Sequence, residues 1–442
     1  MTKFAQKLSS LISVTSVRLV ILVALLCFGA DAALAQTRAY VTNNDDNTVT
    51  IIDTATFSVV ATVPVGLGPT DVAVTPNGRF AYVVNQQSNS VSVISAATNT
   101  VVATIPVGSF PGMIAITPDG AFAYVDNIFD SISVINIATN TVVTSIPIAN
   151  TFKIAMAPSG NLAYVTHGSL GNGVTVINTA THSVVTNIPI PVDVASAIAV
   201  SPNGAFLYVT CQIFNVGSKL AVIDTATNTI VTFVPLPPNF APGVAITPDG
   251  AFVYVTNNGG GVCSCGGGGG AVSSVSVIDT ATNTEVARVG VGTSPSGVAV
   301  TPDGAFVYVA DFFDRTVSVI STANNGVVAS VPVGAFAQSI AFGTFVPEPP
   351  PPPPIDPIES LIDQIHALVA ANSLTQEQGA GLLDKVQQIK AKIDAGQTAA
   401  ACNQLSGFIN QVTGFISNGT LTTAQGQPLI DLANKLKSTN GC

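Results

Sequence analysis

The chain has 442 residues, of which 9% are charged and 47% are hydrophobic, and its formal net charge is −10. The acidic balance and the absence of a basic run exclude nucleic-acid binding through the phosphate backbone, which needs clustered positive charge. The length permits more than one domain and a large buried core.

The N-terminal segment is typical of a secretory signal peptide. Three basic residues precede an apolar run over 19–30, and Ala33-Leu34-Ala35 has the small-residue pattern of a cleavage site. A run of about twelve apolar residues is short for a membrane-spanning helix. We therefore expect residues 1–35 to be removed and the mature protein to be exported, to the periplasm, the cell surface or the medium, without a transmembrane segment.

Internal repetition dominates residues 36–346. Each unit contains a tyrosine-centred strand, a second strand, a turn that ends in Asn-Thr in most copies, a third strand, and a fourth strand that leads through Pro-Asp-Gly or Pro-Asn-Gly to the next tyrosine. Four short strands in about 40–45 residues is the period of a propeller blade. The seven tyrosines of the chain mark seven units, at Tyr40, Tyr82, Tyr124, Tyr164, Tyr208, Tyr254 and Tyr308.

The order of the strands predicts how the ring closes. We expect the strand before each Pro-x-Gly turn to lie innermost, beside the central channel. The chain begins with a tyrosine strand and has no innermost strand before it, whereas the copy at 339–342 has no tyrosine strand after it. Residues 339–342 are therefore predicted to complete the N-terminal blade, which leaves no free sheet edge at the closure. Short strands, the absence of Trp and the helical C-terminal pattern argue against an outer-membrane barrel.

The repeat segments resemble the YVTN family of β-propeller repeats. The resemblance lies in AYVTNN (39–44), VYVTNN (253–258), VSVIDTATNT (275–284) and GVAVTPDG (297–304). It implies a seven-bladed propeller of the kind found in secreted and cell-surface proteins, archaeal surface-layer proteins among them, and a relationship to lactonase-like propellers. Many functions share such a fold, so the function has to be argued from the site.

A proline-rich segment at 347–357 separates the repeats from a helical C-terminus. Its composition predicts a semi-rigid polyproline II spacer. The apolar spacing over 358–442 predicts four helices, and SLTQEQG (373–379) recurs as TLTTAQG (420–426). Thr375 begins a capping box in the first copy. The C-terminal module is therefore predicted to be a duplicated helical hairpin.

The helical module contains two cysteines. Cys402 opens the third predicted helix and Cys442 ends the chain, so a disulfide between them would hold the last helix against the module. A disulfide is favoured over free thiols in an exported protein. The module also resembles the FIMAH-type domain of secreted bacterial proteins, through AACNQLSGFINQV (400–412) and QPLIDLAN (427–434), and the resemblance implies no catalytic role.

The repeats differ from one another mainly in two connections. The hairpin after each tyrosine strand and the loop into each innermost strand vary strongly, while the other turns hardly change. In a four-stranded blade both variable connections emerge on the same side of the disc, which we call the variable-loop face. We predict that this face binds a partner, although loops also drift where nothing constrains them. The candidate binding residues are Asp45, Asp46, Asp71, Asp126, Asp130, Lys153, His167, Asp193, Lys219, Asp311, Asp314 and Arg315.

The largest variable hairpin is the glycine-rich segment 257–274. Its Cys263 and Cys265 lack a nearby third ligand, so they support a metal site only weakly. Cys211 occupies the equivalent hairpin of the preceding blade, and we prefer a disulfide from Cys211 to one of these two cysteines, which leaves one spare thiol. The glycines have no strand-to-helix context, so neither a P-loop nor a dinucleotide-binding fingerprint is indicated.

Residues suited to catalysis are sparse. No nucleophile elbow is present, and none of the three histidines has a partner pattern. Metal-dependent propeller hydrolases of the lactonase-like kind draw several oxygen ligands from the innermost strands. At the corresponding channel-mouth positions this chain offers one carboxylate, since they are Asp71, Met113, Lys153, Ala197, Gly243, Gly297 and Ser339.

The sequence thus favours an exported, non-enzymatic seven-bladed propeller with a small helical module. We expect it to bind a protein or another component of the cell envelope through the variable-loop face, without a cofactor or a bound metal. Two alternatives stay open. A lactonase-like hydrolase would show turnover that a chelator abolishes, and a purely structural surface repeat protein would self-associate without a foreign partner.

Overall fold

Two compact units, Met1–Pro347 and Glu348–Cys442, make up the chain. The computed structural model describes residues 35–168, 173–192, 194–213, 217–259, 272–346 and 356–442. Within these residues the first unit contains seven four-stranded sheets and the second contains four helices. The predicted fold class, a seven-bladed propeller of four-stranded blades with an all-helical C-terminal part, is therefore confirmed.

Each blade is an antiparallel sheet whose strands run outward from the channel in the order given. Blade 1 comprises β28 (Ala337–Phe345), β1 (Gln36–Asn43), β2 (Thr48–Asp53) and β3 (Ser58–Pro64). Blade 2 comprises β4 (Pro69–Val74), β5 (Phe80–Asn85), β6 (Ser90–Ser95) and β7 (Thr100–Pro106). Blade 3 comprises β8 (Pro111–Ile116), β9 (Phe122–Asn127), β10 (Ser131–Asn136) and β11 (Thr141–Ile146). Blade 4 comprises β12 (Thr151–Met156), β13 (Leu162–His167), β14 (Gly173–Asn178) and β15 (Ser183–Pro189).

The remaining three blades repeat this plan. Blade 5 comprises β16 (Val194–Val200), β17 (Phe206–Ile213), β18 (Gly217–Asp224) and β19 (Thr229–Pro235). Blade 6 comprises β20 (Val244–Ile246), β21 (Phe252–Asn257), β22 (Ser274–Asp279) and β23 (Thr284–Gly290). Blade 7 comprises β24 (Pro295–Val300), β25 (Phe306–Asp311), β26 (Thr316–Ser321) and β27 (Gly326–Pro332).

The closure of the ring follows the prediction. β28 pairs with β1 in antiparallel register, with Tyr40 opposite Ala341 and Val41 opposite Ile340. The last strand of the propeller therefore supplies the innermost strand of the first blade, and it contacts the innermost strands of blades 2 and 7 as well. This pairing removes the free edge that the N-terminal strand would otherwise present.

The tyrosine strand of each blade lies between two neighbouring sheets. Its central residues are buried without alternation, and Tyr82, Tyr124 and Tyr254 are at most 1% exposed. Strands covered on both faces read as continuous Val, Ile and Ala runs, which accounts for the hydrophobicity of the chain. The core of the propeller is the series of layers between adjacent blades.

Three of these tyrosines donate or share a hydrogen bond with the outer turn of the next blade. The Tyr82 hydroxyl donates to Asn140 Oδ1 at 2.6 Å, and the Tyr254 hydroxyl donates to Asn325 Oδ1 at 3.1 Å. The Tyr124 hydroxyl shares a 2.6 Å hydrogen bond with His182 Nδ1. The accepting turn residues have a φ between 51° and 54°, a conformation that Asn and His adopt more readily than most side chains. The repeated Asn of the turn thus serves both the turn and the contact between blades.

The junction between blades 7 and 1 departs from this pattern. Phe57, with a φ of 53°, stands where the other described turns place Asn or His. Its ring packs edge-on against Phe306 at 5.1 Å between centroids and contacts Tyr308. The buried Tyr308 hydroxyl has no hydrogen-bond partner among the described residues, because Phe57 offers no acceptor.

The C-terminal unit consists of α1 (Pro357–Ala370), α2 (Gln376–Asp394), α3 (Thr398–Ser417) and α4 (Thr423–Thr439). The first helix begins at Pro357, one residue earlier than predicted, because Asp356 caps it and Pro suits the first helical position. Among the described residues, no helix has the length and apolar character needed to cross a membrane. Residues 347–355 of the predicted spacer lie outside the described residues.

The internal duplication of the helical unit is visible in its caps. Thr375 with Gln378 forms the predicted capping box at α2, and Thr422 forms the equivalent box at α4. The leucine just before each box is buried, at Leu374 and Leu421. The two hairpins therefore bury the same positions of the repeated motif in a shared core of aliphatic side chains.

One predicted disulfide is present and the other is not. Cys402 and Cys442 are bonded, with 5.7 Å between their Cα atoms. Cys211 is instead a free and buried thiol, packed in the core between blades 4 and 5, and its Sγ donates to the Val209 carbonyl at 3.4 Å. The proposed bridge from Cys211 is corrected on this point. Its two suggested partners, Cys263 and Cys265, lie outside the described residues.

We predict that Phe57→Asn is more stable than Phe57→Ala by about 1–3 kcal/mol, the usual cost of an unsatisfied buried polar group. Both variants lose the ring, but Asn tolerates the positive φ and offers Tyr308 an acceptor. Urea unfolding of the two variants measures the difference. Equal free energies of unfolding would show that the Tyr308 hydroxyl gains nothing from residue 57.

We predict that reduction of the Cys402–Cys442 disulfide destabilises the helical unit by about 4 kcal/mol, because the bridge closes a loop of some 40 residues. The helical circular-dichroism signal during urea unfolding, with and without reductant, measures this loss. A Cys402→Ser/Cys442→Ser double variant is the control, since reductant should not change its unfolding further. Peptide mapping without reductant should recover the bridged peptide.

Candidate functional site

The two variable connections meet on one face through backbone hydrogen bonds. In blade 2 the Gln86 N–H donates to the Gly68 carbonyl at 2.9 Å. In blade 1 the Asn44 N–H donates to the Phe336 carbonyl at 3.1 Å, and in blade 7 the Phe312 N–H donates to the Ser294 carbonyl at 3.3 Å. These blades thus present a paired hairpin and loop beside the channel mouth.

Phenylalanine side chains cluster in two places on this variable-loop face. In blade 3, Phe110 and Phe129 are 45% and 63% exposed and their ring centroids lie 5.6 Å apart. Between blades 7 and 1, Phe312 stacks on Phe336 at 4.7 Å with an interplanar angle of 10°, and Phe313 meets both rings edge-on. We call these the blade 3 and blade 7/1 aromatic clusters. Since the blades follow one another around the ring of seven, the two clusters lie two to three blades apart around the channel mouth.

Two of these phenylalanines adopt an unfavourable backbone conformation. Phe110 and Phe336 have φ values of 57° and 56°, at a loop position where other blades place Gly68, Asn150 or Ser294. A bulky side chain at positive φ costs about 1–3 kcal/mol, and such positions cluster at binding and active sites. Phe110 combines this backbone strain with exposure to solvent, whereas Phe336 is half-buried beneath the stacked Phe312 ring.

A polar cluster lies at the mouth of the channel, on the innermost strands of blades 1 to 4. Asp71 Oδ2 accepts from the Ile114 N–H at 3.0 Å, and the Ser339 hydroxyl donates to Asp71 Oδ1. Lys153 Nζ is 3.6 Å from Asp71 Oδ1 and 3.1 Å from the Met113 sulfur. Residues predicted from four separate repeats therefore come together in one place.

β-Bulges explain why these side chains gather there. The pairing between the innermost strand and the tyrosine strand slips beside the channel-mouth residue in six blades. A bulge leaves a backbone N–H without a ladder partner and redirects the side chain. In three blades a threonine hydroxyl accepts from the freed N–H, as Thr210 does from Ala197 at 2.9 Å, Thr256 from Gly243 at 2.9 Å and Thr42 from Ser339 at 3.0 Å.

Asp126 replaces that threonine in blade 3. Its Oδ1 accepts from the Gly112 N–H at 3.0 Å and from the Met113 N–H, and its Oδ2 accepts from the Thr151 hydroxyl at 3.3 Å. The side chain is fully buried. Burial raises the pKa of Asp126 to about 7, against the lowering effect of the backbone hydrogen bonds, and the nearby Asp71 charge raises it further. This carboxyl group therefore titrates near neutral pH.

Like Asp71 and Asp126, two further predicted binding residues prove to be buried. Asp311 and His167 end their tyrosine strands at the position where four other blades place Asn, and both are buried. Asp311 Oδ2 accepts from the hydroxyls of Thr316 and Ser318 at 3.0 and 2.7 Å, and burial raises its pKa to about 6. His167 Nε2 shares a 2.7 Å hydrogen bond with Thr175, and burial lowers the pKa of the imidazole. Both side chains hold the hairpin that follows them. The prediction that they lie on the binding surface is therefore wrong, because both are buried in the interior.

The other predicted residues are distributed over the face. The Asp46 carboxylate accepts from the Ala335 N–H at 2.8 Å and the Asp314 carboxylate from the Thr293 N–H at 2.6 Å, so both hold loops in place. Lys219 Nζ lies 5.6 Å from the centre of the Phe233 ring. Asp45, Asp130 and Arg315 are exposed, and Asp193 lies outside the described residues.

The charged residues of the variable hairpins were predicted to bind a partner, whereas the aromatic residues of the same hairpins were not. The segments NIFDS (127–131) and DFFDR (311–315) contain both kinds. The available signal was the occurrence of Phe at a loop position where other repeats carry Gly, Asn or Ser, as at Phe110 and Phe336.

Comparison with known proteins agrees with the fold. A family described as "Lactonase, 7-bladed beta-propeller" matches residues 38–184, about a third of the chain. A search of the curated proteins finds no match.

Solved structures of similar fold come from several bacteria. Hydrazine synthase of Kuenenia stuttgartiensis is 26% identical with a TM-score of 0.57, over 64% of this chain and 92% of that one. A functionally unknown protein of Desulfotomaculum acetoxidans is 19% identical with a TM-score of 0.58, over 70% and 99%. AztD of Citrobacter koseri is 13% identical with a TM-score of 0.54, over 72% and 100%. The latter two likenesses establish the propeller fold alone.

We predict that Asp126→Thr removes a pH dependence of stability. The folded protein holds a proton on Asp126 up to about pH 7, whereas the unfolded chain releases it near pH 4, so folding stability falls as pH rises between these values. The variant should therefore gain stability relative to the parent, by an amount on the order of 3 kcal/mol at pH 8. Urea unfolding at pH 5 and pH 8 measures the difference.

Asp311→Asn is the matched comparison for this experiment, because Asn occupies that position in four blades. Its effect should be complete by about pH 6, the pKa of Asp311. Parallel stability profiles for Asp126→Thr and the parent between pH 4 and 8 would contradict the assignment of the titration to Asp126.

Proposed function

We propose that the protein is an exported, non-enzymatic binding protein of the cell envelope or cell surface that captures a protein partner through its variable-loop face. In this proposal residues 1–35 are a removed signal peptide and 36–346 form a YVTN-type propeller. Residues 347–357 are a spacer, and 358–442 are a FIMAH-type module that serves as a second contact. The carrying observation is the pair of exposed aromatic clusters on the one face whose loops vary.

The chemistry of the face suits a protein partner. Aromatic side chains are enriched at the energetic centres of protein interfaces, because they bury large apolar areas at little entropic cost. Phe129 is the most exposed ring of the blade 3 cluster at 63%, and Phe313 is the most exposed ring of the blade 7/1 cluster at 41%. The exposed acidic residues Asp45 and Asp130 can form a polar rim. The two clusters lie two to three blades apart, so one partner that touches both has to contact the loops of several blades.

A second candidate function is a lactonase-like hydrolase. The matching family at 38–184 includes Asp71, Asp126 and Lys153, and one similar solved chain is named as hydrazine synthase. Against it, the described residues contain no group of three or more His, Cys, Asp or Glu placed to hold a metal ion. Asp71 is also engaged by three donors of the protein itself. Hydrolysis of a lactone panel that is lost on Asp71→Asn would favour this candidate over a binding protein.

We predict that a Phe129→Ser/Phe313→Ser double variant loses partner capture by at least about tenfold, because each truncation removes an exposed anchor of the interface. Proximity labelling from the mature protein in its native envelope, compared between parent and variant, measures the loss. A Val143→Ser/Val185→Ser double variant is the matched control, since these exposed valines lie on outermost strands, at 51% and 57% exposed.

The binding proposal requires one reproducible partner that the face variant loses and the outer-strand variant retains. Equal loss in both variants would place the contact elsewhere. Labelling of the protein's own copies alone would favour the purely structural role.

A further inference from the structure

A separate feature of the channel mouth is a cavity of about 180 Å³ enclosed by the innermost strands. Asp71, Lys153 and Ser339 line it on the side of blades 1, 2 and 4, and Gly243 and Gly297 line it on the side of blades 6 and 7. The remaining lining is largely aliphatic and includes Val72, Ile114, Ile154 and Val298. The cavity therefore combines a charged side with apolar walls.

The glycines keep the uncharged side open and cannot be replaced without a backbone shift. A Cβ at Gly243 would lie 2.5 Å from the Ser296 carbonyl oxygen, and one at Gly297 would lie 2.6 Å from the Gln338 carbonyl oxygen. Close packing of neighbouring innermost strands thus leaves this part of the mouth without side chains.

The two charged side chains of the cavity, Asp71 and Lys153, differ in how many hydrogen-bond partners they have. Asp71 is 4% exposed, and the Ile114 N–H, the Ser339 hydroxyl and the Lys153 ammonium surround its carboxylate. The side chain of Lys153 is 27% exposed. Its ammonium donates to the Met113 thioether, a weak acceptor, and approaches Asp71 only at 3.6 Å, beyond hydrogen-bond length. Lys153 is the one cation among the described residues that line the cavity, and it retains donors for a stronger acceptor.

We propose that this cavity binds a compact organic carboxylate, whose oxygens accept from Lys153 and whose apolar body lies against the aliphatic walls. A charge-assisted hydrogen bond to a carboxylate is stronger than the bond to a thioether that Lys153 makes in its absence. The volume is below the roughly 300–1,000 Å³ typical of sites for drug-sized ligands, so the body of the ligand has only a few carbon atoms. The inference goes beyond the proposed capture of a protein partner, and it does not depend on the aromatic clusters.

The probes that test the headgroup are butyrate, butylamine and 1-butanol, which are unbranched and have four carbon atoms each. Isothermal titration of the full mature chain should give a dissociation constant on the order of 1 mM for butyrate and at least about tenfold weaker binding of the other two. Preferential binding of butylamine would show that Asp71 determines the site and would overturn the proposal. Absence of butyrate binding at about 50 mM would overturn it as well.

Two substitutions on the charged side of the cavity should change the affinity for butyrate in opposite directions. Lys153→Gln should weaken butyrate binding at least about tenfold, and Asp71→Asn should tighten it, because the second change removes a negative charge beside the ligand. Arg288→Gln is the control, since it removes a cation from the outermost strand of blade 6 and should leave binding unchanged. Butyrate affinity that does not respond to Lys153→Gln would overturn the proposal.

The role of the Lys153 charge can be tested even if the Lys153→Gln variant does not fold. Thermal unfolding identifies such a failure, and Lys153→Arg then provides the test, because Arg retains the charge at the same position. Lys153→Arg should keep butyrate binding selective over butylamine. Loss of that selectivity in a folded Lys153→Arg protein would contradict the role of the cation.

Discussion

The tyrosine strand of each blade is buried on both faces, and this constraint makes every blade depend on its neighbours. An isolated four-stranded sheet with such a strand would expose Val, Ile and Tyr side chains on both sides. Packing against the next blade covers one side, and the hydroxyl of the tyrosine then reaches a polar atom in the turn of that blade, as between Tyr82 and Asn140. A linear array would leave two outer layers uncovered, so the ring has to close, and the pairing of β28 with β1 closes it.

The turns whose sequence hardly changes between repeats lie on one side of the disc. The Pro-x-Gly turns and the outer Asn-Thr turns are built from repeated internal hydrogen bonds, such as those from the Ala226 and Thr227 N–H groups to Asp224 Oδ1. The hairpins and loops at the other end need only to bond to each other, which their backbones do whatever the side chains are. That freedom allows Phe110 and Phe336 to stand at positive φ, and it concentrates possible binding chemistry on the variable-loop face.

Much of the fold was predictable because it repeats, and the errors at the site have a common origin. Seven blades, the closure by residues 339–342 and the capping box at Thr375 follow from spacing alone. His167, Cys211 and Asp311 were interpreted as variable-hairpin residues, yet each lies within a tyrosine strand, three residues after the tyrosine, where the other four blades have Asn. In those blades the Asn amide donates to two hydroxyls of the next strand, as Asn43 does to Thr48 and Thr50. Aligning the repeats with one another could have predicted that these three side chains are buried. It could not have shown which hydroxyl groups they contact.

At the channel mouth the blades share one backbone arrangement but differ in the charge of their side chains. Its charged side chains come from blades 2, 3 and 4, as Asp71, Asp126 and Lys153, while blades 5, 6 and 7 contribute Ala197, Gly243 and Gly297. Since a repeat needs no charge at these positions to fold, as the three small residues demonstrate, the charged set is a departure that stability does not require. Burial of Asp126 has an energetic cost, because its pKa is raised to about 7. The segment that carries these charges also lies within the part of the chain that matches the lactonase propeller family. Blades 2 to 4 thus offer a ligand charged groups to bind, and the small residues of blades 5 to 7 leave space beside them. The proposed binding chemistry of the channel mouth depends on this asymmetry.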